Sequence, residues 1–367
     1  MKFVLLSPKN RTVYNFRGDL IKEIIAKGYE VVVTGPDKTD VDKIEALGAR
    51  FKEIPMQKTG TSISSDLKYC EKLTRLLKEE KPDVTLGYTV KPVVYGAIAA
   101  KRAGVKNINC LITGGGYTFV SRSVKARILG VIVRNLYRVG LLNATHVIFQ
   151  NKDDLREFSA KHLVNKKKCS YVNGSGVNMD QFRPAPMPQE PTFFMLSRLL
   201  KSKGVGEYLE AARTVKKQYP HVKFKLLGKY EYVMQDAMDK DYVESFINDG
   251  TIERFEETDD VRPYYEMCSV YVLPSYREGT PRTVLEAMAM GRPIITTDTQ
   301  GCRETVREGV NGFLVPVKNS AAMADKMIWF IEHPDQIEKM GIQSILYAHK
   351  KFDVNKVNAE MIRLMNL

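Results

Sequence analysis

The 367-residue chain has little with which to build a metal cluster or a covalent framework. Its five cysteines, Cys70, Cys110, Cys169, Cys268 and Cys302, are odd in number and scattered, with no Cys-x-x-Cys. That excludes a zinc ribbon and a disulfide scaffold and fits reduced, mostly buried thiols. The five histidines are equally dispersed and none precedes His146, so no metal site is expected. Long apolar runs are missing too: Ile128–Val133 falls far short of the roughly 20 residues that span a bilayer. Met1–Pro8 lacks the apolar length and small-residue cleavage site of a signal peptide and reads as a short buried strand, so a cytoplasmic protein is expected. Acidic residues are absent between Asp83 and Asp153, an interval that holds Lys91, Lys101, Arg102, Lys106, Arg122, Lys125, Arg127, Arg134 and Arg138.

The formal charge of +13 is therefore lopsided, with +15 on residues 1–185 and −2 on residues 186–367. A basic half beside a near-neutral one suits a phosphorylated ligand, an anionic membrane or a nucleic acid; the plain alternative is a solvated basic surface. Nucleic acid is disfavoured, because the basic run lacks interleaved stacking aromatics and no helix-turn-helix or zinc pattern occurs.

Short β-branched runs alternate with segments of helical period. In the first half, strands are predicted at Phe3–Leu6, Glu30–Thr34, Arg50–Ile54, Val84–Gly87, Ile108–Thr113 and His146–Gln150. Helices are predicted at Asp19–Lys27, Val41–Leu47, Asp66–Glu80, Val93–Arg102 and Ser123–Leu142. This alternation predicts a parallel sheet with helices on both faces. Four prolines between Phe182 and Pro191 then predict an extended linker. The alternation restarts with strands at Thr192–Leu196, Lys223–Leu227, Ile252–Phe255, Ser269–Leu273 and Pro293–Thr297. The helices of this half are expected at Val205–Gln218, Val243–Ile247 and Pro281–Met290, with a turn at Asn311-Gly312. From Ala321 onward the pattern is helical, with breaks near Pro334 and Phe352. The expected fold is α/β: two Rossmann-like, doubly wound domains, 1–185 and 186–351, facing each other across a ligand-binding cleft, with a helix at about 352–367 packing back on the first.

The stretch Leu273–Gly291 opens at a strand end. Glu278-Gly279 reads as a loop, Thr280 as an N-cap, Pro281 as the first helical residue and Gly291 as the stop. A helix that starts after a strand offers free N–H groups and a positive dipole end, a ready site for a diphosphate. Glu278 and Glu286 flank it, and carboxylates beside an anion site suit sugar and ribose hydroxyls. Ser197–Gly204 adds Arg198, which can fork two oxygens, and Lys203, a mobile point charge; Lys201 is the weaker candidate. In the first half, Thr113–Gly116 carries three glycines whose backbone a ligand could approach closely, or which simply form a turn. The helix Ser123–Leu142 places Arg127, Arg134 and Arg138 on one side. That suits an anionic membrane surface, or equally a helix packed on its own sheet.

The string Pro-Ser-x-x-Glu-Gly-x-Pro-x-x-x-Leu-Glu-Ala-Met-Ala-x-Gly-x-Pro, from Pro274 to Pro293, resembles the signature of retaining GT-B glycosyltransferases of the large group-1 family. Tyr14-Asn15-Phe16-Arg17, Thr89-Val90-Lys91-Pro92-x-x-Tyr95-Gly96, Thr113–Gly116 and Gly174–Asn178 are similar to bacterial enzymes that extend polyprenyl-diphosphate-linked saccharides of capsule, lipopolysaccharide and glycoproteins. The resemblance implies a metal-independent, retaining transfer of a hexose or N-acetylhexosamine from a UDP-sugar, on the cytoplasmic membrane face and without a cofactor. It implies catalytic roles for Glu278, Arg198 and Lys203. Glu286, Gly279, Thr280, Thr283, Val284, Gly114 and Gly115 would bind the nucleotide sugar, and Arg17, Lys91 and Tyr95 the acceptor. One departure stands out: where many relatives carry a histidine near the donor sugar, this chain has Thr113-Gly114. A sugar-nucleotide epimerase of the same fold is the alternative, though such enzymes lack the paired-glutamate string.

Overall fold

The computed structural model describes residues 1–57, 62–114, 124–232 and 234–367. The chain divides into two compact units, Met1–Ser175 with Val354–Leu367, and Gly176–Asp353.

The first unit is built on β1 (Lys2–Leu6), β2 (Glu30–Gly35), β3 (Arg50–Glu53), β4 (Val84–Tyr88), β5 (Asn107–Ile112), β6 (His146–Phe149) and β7 (Cys169–Tyr171). They form one parallel sheet in the order β3-β2-β1-β4-β5-β6-β7. Strand alternation feeds two layers: Val4 and Leu6 enter one core, Phe3 and Leu5 the other. Into the first core pack α3 (Ile63–Glu80), α4 (Val90–Arg102), α5 (Val124–Leu142) and α6 (Lys152–Ala160). Into the second pack α1 (Asn10–Ala26), α2 (Val41–Glu45) and α13 (Val354–Leu364), the last through Val357, Met361 and Ile362. Polar bonds fasten α13: Asn358 Nδ2 donates to Glu23 Oε1 at 2.7 Å and Asn107 Nδ2 to the Met365 carbonyl at 2.7 Å. The start of the first helix differs most from expectation, since α1 begins at Asn10 rather than Asp19 and takes in Tyr14–Arg17.

The second unit has β8 (Thr192–Leu196), β9 (Lys223–Leu227), β10 (Glu253–Phe255), β11 (Val270–Leu273), β12 (Ile294–Thr297) and β13 (Gly312–Val315). The sheet is again parallel, in the order β10-β9-β8-β11-β12-β13. Around it lie α7 (Val205–Gln218), α8 (Lys240–Asn248), α9 (Arg262–Glu266), α10 (Arg282–Ala289), α11 (Ser320–Glu332) and α12 (Pro334–Lys351). Asn311-Gly312, expected as a turn, leads directly into β13, where Gly312 lets the chain approach the Ile294 backbone.

The proline-rich stretch belongs to this second unit and is not a free tether. Arg292, fully buried, donates from Nε to the Tyr265 carbonyl and from Nη2 to the Pro186 carbonyl, both at 2.9 Å, and its Nη1 lies 2.9 Å from the Met187 sulfur. In both sheets the strand order reverses once, between β1 and β4 and between β8 and β11. Parallel α/β sheets bind ligands beyond the carboxyl ends of the strands at such reversals.

Candidate functional site

At the reversal of the second sheet, the loops after β8 and β11 are joined edge to edge. Tyr276 N–H donates to the Ser202 carbonyl at 2.9 Å, and Ser275 Oγ donates to the same carbonyl at 3.3 Å. Gly204 makes this approach possible: its φ is +74°, and a Cβ there would lie 2.2 Å from the Pro274 carbonyl oxygen. The turn Lys201–Lys203 consequently delivers the Lys203 ammonium onto Glu278 Oε1, a pair whose side chains are 23% and 15% exposed. From the other side the loop after β12 supports Glu278. Glu278 N–H donates to the Gln300 carbonyl at 3.1 Å, and a Cβ on Gly301 would fall 2.3 Å from the Glu278 carbonyl oxygen.

Arg198 lies on the same loop as Lys203 but turns elsewhere, half exposed and 3.7 Å from Glu231 in the loop after β9. That β9 loop also holds the turn from behind, through Lys201 N–H to the Asp236 carbonyl at 2.7 Å. The structure thus joins Lys203 with Glu278, and Arg198 with Glu231.

The helix after Glu278 starts one residue later than the sequence suggested. Pro281, with ψ of 111°, is the cap residue of α10, and the Thr280 hydroxyl donates to the Gly279 carbonyl at 2.9 Å. A ring-locked φ serves either position, and the extended ψ of Pro281 decides it. Val284 N–H bonds back to the Pro281 carbonyl at 3.1 Å, so the N-terminal donors that helix geometry leaves without an earlier carbonyl are those of Arg282 and Thr283. Gly291, φ +84°, follows the last turn as expected.

Glu286 sits on the second turn, and its carboxylate is pinned rather than open. Arg282 Nε donates to Oε1 at 3.1 Å and the Tyr265 hydroxyl to Oε2 at 3.0 Å, with 8% of the residue exposed. Burial raises its carboxyl above the ordinary range, against the pull of Arg282 and Tyr265. Each oxygen keeps a lone pair for a further donor. Tyr265 and Arg282 were not singled out from the sequence; Arg282, one turn ahead of Glu286, had the spacing to be noticed.

The first unit has its own polar cluster at the reversal. The Tyr88 hydroxyl lies 2.7 Å from Ser7 Oγ and 2.8 Å from Thr12 Oγ1, and the Arg17 guanidinium stacks over its ring at 5.4 Å. Thr89, between β4 and α4, has φ 66° and ψ 170°, a conformation that β-branched residues avoid. Just beyond it, Lys91 Nζ pairs with Asp66 Oδ1 at 2.7 Å and the Tyr95 hydroxyl donates to Asp66 Oδ2 at 3.1 Å. The structure therefore brings Lys91 and Tyr95 together, on a carboxylate the sequence reading passed over. Gly114 follows β5 with φ +128°, whereas Gly115 and Gly116 lie outside the described residues.

On α5, Arg134 is half-buried and Arg138 exposed; the side chain of Arg127 lies outside the described residues. Arg138 is not a free cation: its fork donates to the His162 carbonyl at 3.2 Å and the Lys161 carbonyl at 3.5 Å, just past the end of α6. Val131, Ile132, Val139 and Leu142 of α5 are exposed apolar neighbours.

Among the described residues no helix is long and apolar enough to cross a membrane, and no three His, Cys, Asp or Glu side chains converge as a metal site. Two Asp-x-Asp strings occur, Asp40-Val41-Asp42 and Asp239-Lys240-Asp241, both at helix starts. Asp239 caps α8, accepting from Tyr242 N–H at 2.9 Å, and Asp40 accepts from the Tyr14 hydroxyl at 3.1 Å.

Residues 179–345 match the family of glycosyl transferases group 1, and residues 3–151 the glycosyl transferase 4-like family. The chain is 26% identical over 346 residues to the N,N'-diacetylbacillosaminyl-diphospho-undecaprenol alpha-1,3-N-acetylgalactosaminyltransferase of Campylobacter jejuni, covering 90% of each. It is also 26% identical over 291 residues to the UDP-Gal:alpha-D-GlcNAc-diphosphoundecaprenol alpha-1,3-galactosyltransferase of Escherichia coli, covering 75% of this chain and 73% of that one. Anabaena HepE in complex with UDP and glucose superposes with a TM-score of 0.81 at 18% identity, over 100% of this chain and 99% of the other. A glycosyltransferase from Rickettsia africae does so with 0.79 at 17%, over 99% and 97%. With two parallel α/β sheets, the paired glutamates on one of them and a glycosyltransferase match on each half, the chain is a glycosyltransferase of the GT-B fold whose residues 179–345 form a group-1 domain.

Proposed function

We propose that this glycosyltransferase moves a hexose or N-acetylhexosamine from a UDP-sugar to a hydroxyl of a polyprenyl-diphosphate-linked saccharide, with retention and without a metal ion. The observation that carries the reading is the Lys203–Glu278 pair at the reversal of the second sheet, next to the start of α10 and its Glu286. The relatives from Campylobacter jejuni and Escherichia coli, named for diphospho-undecaprenol acceptors, support the acceptor class.

In this reading Lys203, Arg198 and the Arg282 and Thr283 N–H groups take up the negative charge that develops on the leaving diphosphate, the work a divalent ion would otherwise do. Gly279, Thr280 and Val284 shape the backbone around it. Glu286, oriented by Arg282 and Tyr265, accepts from the ribose hydroxyls. Glu278 stands beside the transferred sugar, and the departing diphosphate oxygen takes the acceptor's proton on the same face. On the first unit Gly114 is assigned to the donor sugar, and Arg17, Lys91 and Tyr95 serve the acceptor. The apolar and basic side of α5, with its shallow depression lined by Val131, Arg134, Asn135, Arg138, Lys161 and Leu163, would rest on the cytoplasmic membrane face where such an acceptor resides.

The test is a panel of UDP-sugars with polyprenyl-diphosphate-linked saccharides, read by UDP release. Release that requires both substrates supports the proposal; release without any acceptor, or none with any pair, counts against it.

A further inference from the structure

Asp66 stands in the first turn of α3, and Lys91 and Tyr95 on the first two turns of α4, an adjacent helix on the same face of the first sheet. Both helices start at the carboxyl edge of that sheet, following β3 and β4. The contact is long-range in sequence and largely shielded from water, with the Asp66 and Lys91 side chains 8% and 13% exposed. Burial, and then the Asp66 charge, push the Tyr95 hydroxyl up to about 12, so it stays protonated and donates to Asp66. One turn further along α3, Tyr69 buries a hydroxyl that has no hydrogen-bond partner among the described residues, within electrostatic reach of Asp66 and Tyr88. A buried orphan of this kind is costly unless something completes it. Thr89, held in its strained conformation two residues before Lys91, lies at the same edge.

We infer that Asp66 is a positioning residue that holds Lys91 and Tyr95 to read hydroxyl groups of the acceptor's saccharide, rather than its diphosphate. The inference rests on the acceptor-side reading of Lys91 and Tyr95. Its physical basis is charge and hydrogen-bond inventory. With one N–H on Asp66, the Lys91 ammonium retains two further N–H donors, and the Tyr95 oxygen beside it, left as an acceptor, favours a hydroxyl over an oxyanion. The Tyr95 oxygen, with its O–H directed at Asp66, still accepts. A sugar hydroxyl can therefore accept from Lys91 and donate to Tyr95 at once, a pairing that a methyl or hydrogen in its place would leave unsatisfied.

The experiment uses the full-length enzyme, UDP-N-acetylgalactosamine and UDP-galactose as donors, and farnesyl-diphosphate-linked N-acetylglucosamine and diacetylbacillosamine as acceptor probes. Asp66→Asn and Lys91→Met should each raise the acceptor KM roughly tenfold or more, the usual loss for a charge-assisted hydrogen bond. The donor KM and the kcat at saturating acceptor should stay near wild type, and the double variant should be no worse than either single one, since both act as one unit. Asp66→Glu should restore part of the loss. Thermal melts of every variant separate unfolding from this effect.

A raised acceptor KM in Lys91→Met but not in Asp66→Asn overturns the inference and leaves the acceptor-side reading standing. An unchanged acceptor KM in both overturns both. Equal losses against the same probes lacking the sugar, farnesyl diphosphate and its phosphate, measured as competitive inhibition, would assign the cluster to the diphosphate and also overturn the inference. Where no probe turns over, equilibrium binding of the labelled probes replaces KM, and wild-type protein that binds none of them counts against it.

Discussion

Replacing Glu278 by glutamine should tighten UDP binding while slowing transfer. The Lys203 ammonium is engaged by Glu278 Oε1, so a diphosphate arriving at Lys203 competes with a carboxylate a few ångströms away. Two unit charges about 6 Å apart repel by roughly 3 kcal/mol at an effective dielectric constant near 20. Partial exposure of both side chains reduces this, leaving about 1–2 kcal/mol. Glu278→Gln keeps the shape and a hydrogen bond to the lysine but removes the charge, so UDP should bind roughly 5–30-fold more tightly. Turnover should fall by about 10²–10³, the range seen when a group that stabilises the transition state is lost. Lys203→Met is the counterpart, weakening UDP and slowing transfer together. Titration calorimetry with UDP at two ionic strengths, with initial rates on the same preparations, reads both signs. The gain in Glu278→Gln should shrink at high salt. UDP affinity that is unchanged or lower in Glu278→Gln would refute the argument and leave the pair as a structural tie between the loops after β8 and β11.

Three more outcomes are expected. Glu80, hydrogen-bonded first by Arg50 and then by Lys2, titrates at about 2 instead of 4.5, so its stabilisation is full above pH 4.5 and is lost as the pH falls from there towards 2. Melting temperature against pH for Glu80→Gln should therefore be flatter than wild type across that window and parallel to it near neutrality. Arg292→Met keeps volume but strips two buried carbonyls of their donor, and urea unfolding should show a loss of about 2–4 kcal/mol, with cleavage of the 182–191 stretch by a protease appearing first. Changing Val131, Ile132 and Arg134 together to serine should lower sedimentation with vesicles rich in anionic phospholipid while leaving UDP binding unaltered; equal sedimentation would remove α5 from the membrane proposal.

Local pattern made most of the fold legible. Thr192–Leu196, Val205–Gln218 and Lys223–Leu227 were read to the residue, because apolar strand runs and a long amphipathic helix carry their own period. Asn10–Arg17 hid the start of α1, since polar Arg11, Thr12, Asn15 and Arg17 blur the stripe that Val13 and Leu20 begin. β13 was lost because four residues opening on a glycine look like the end of a turn. The glutamate string and Lys203 were readable as a motif. What they touch was not: Asp66 and Lys91 are 25 residues apart, Tyr265 and Glu286 are 21 apart, and only the sheet order brings each pair together. The same holds for Arg292. Sandwiched between Gly291 and Pro293 it resembles a surface cation, and its burial depends on carbonyls supplied by Pro186 and Tyr265.

The first unit is closed by α13, whose Val357, Met361 and Ile362 join a core begun by Phe3 and Leu5. A ribosome makes the strands of that sheet first, then the entire second unit, and only afterwards the helix that covers them. During this interval the face formed by Leu86, Leu111 and Ile148 lacks part of its lid, while residues 176–353 form an uninterrupted segment that can fold as soon as it emerges. The nested order makes the earliest-synthesised unit the last to be finished, so nascent chains stalled before residue 354 should be the species that most need a chaperone.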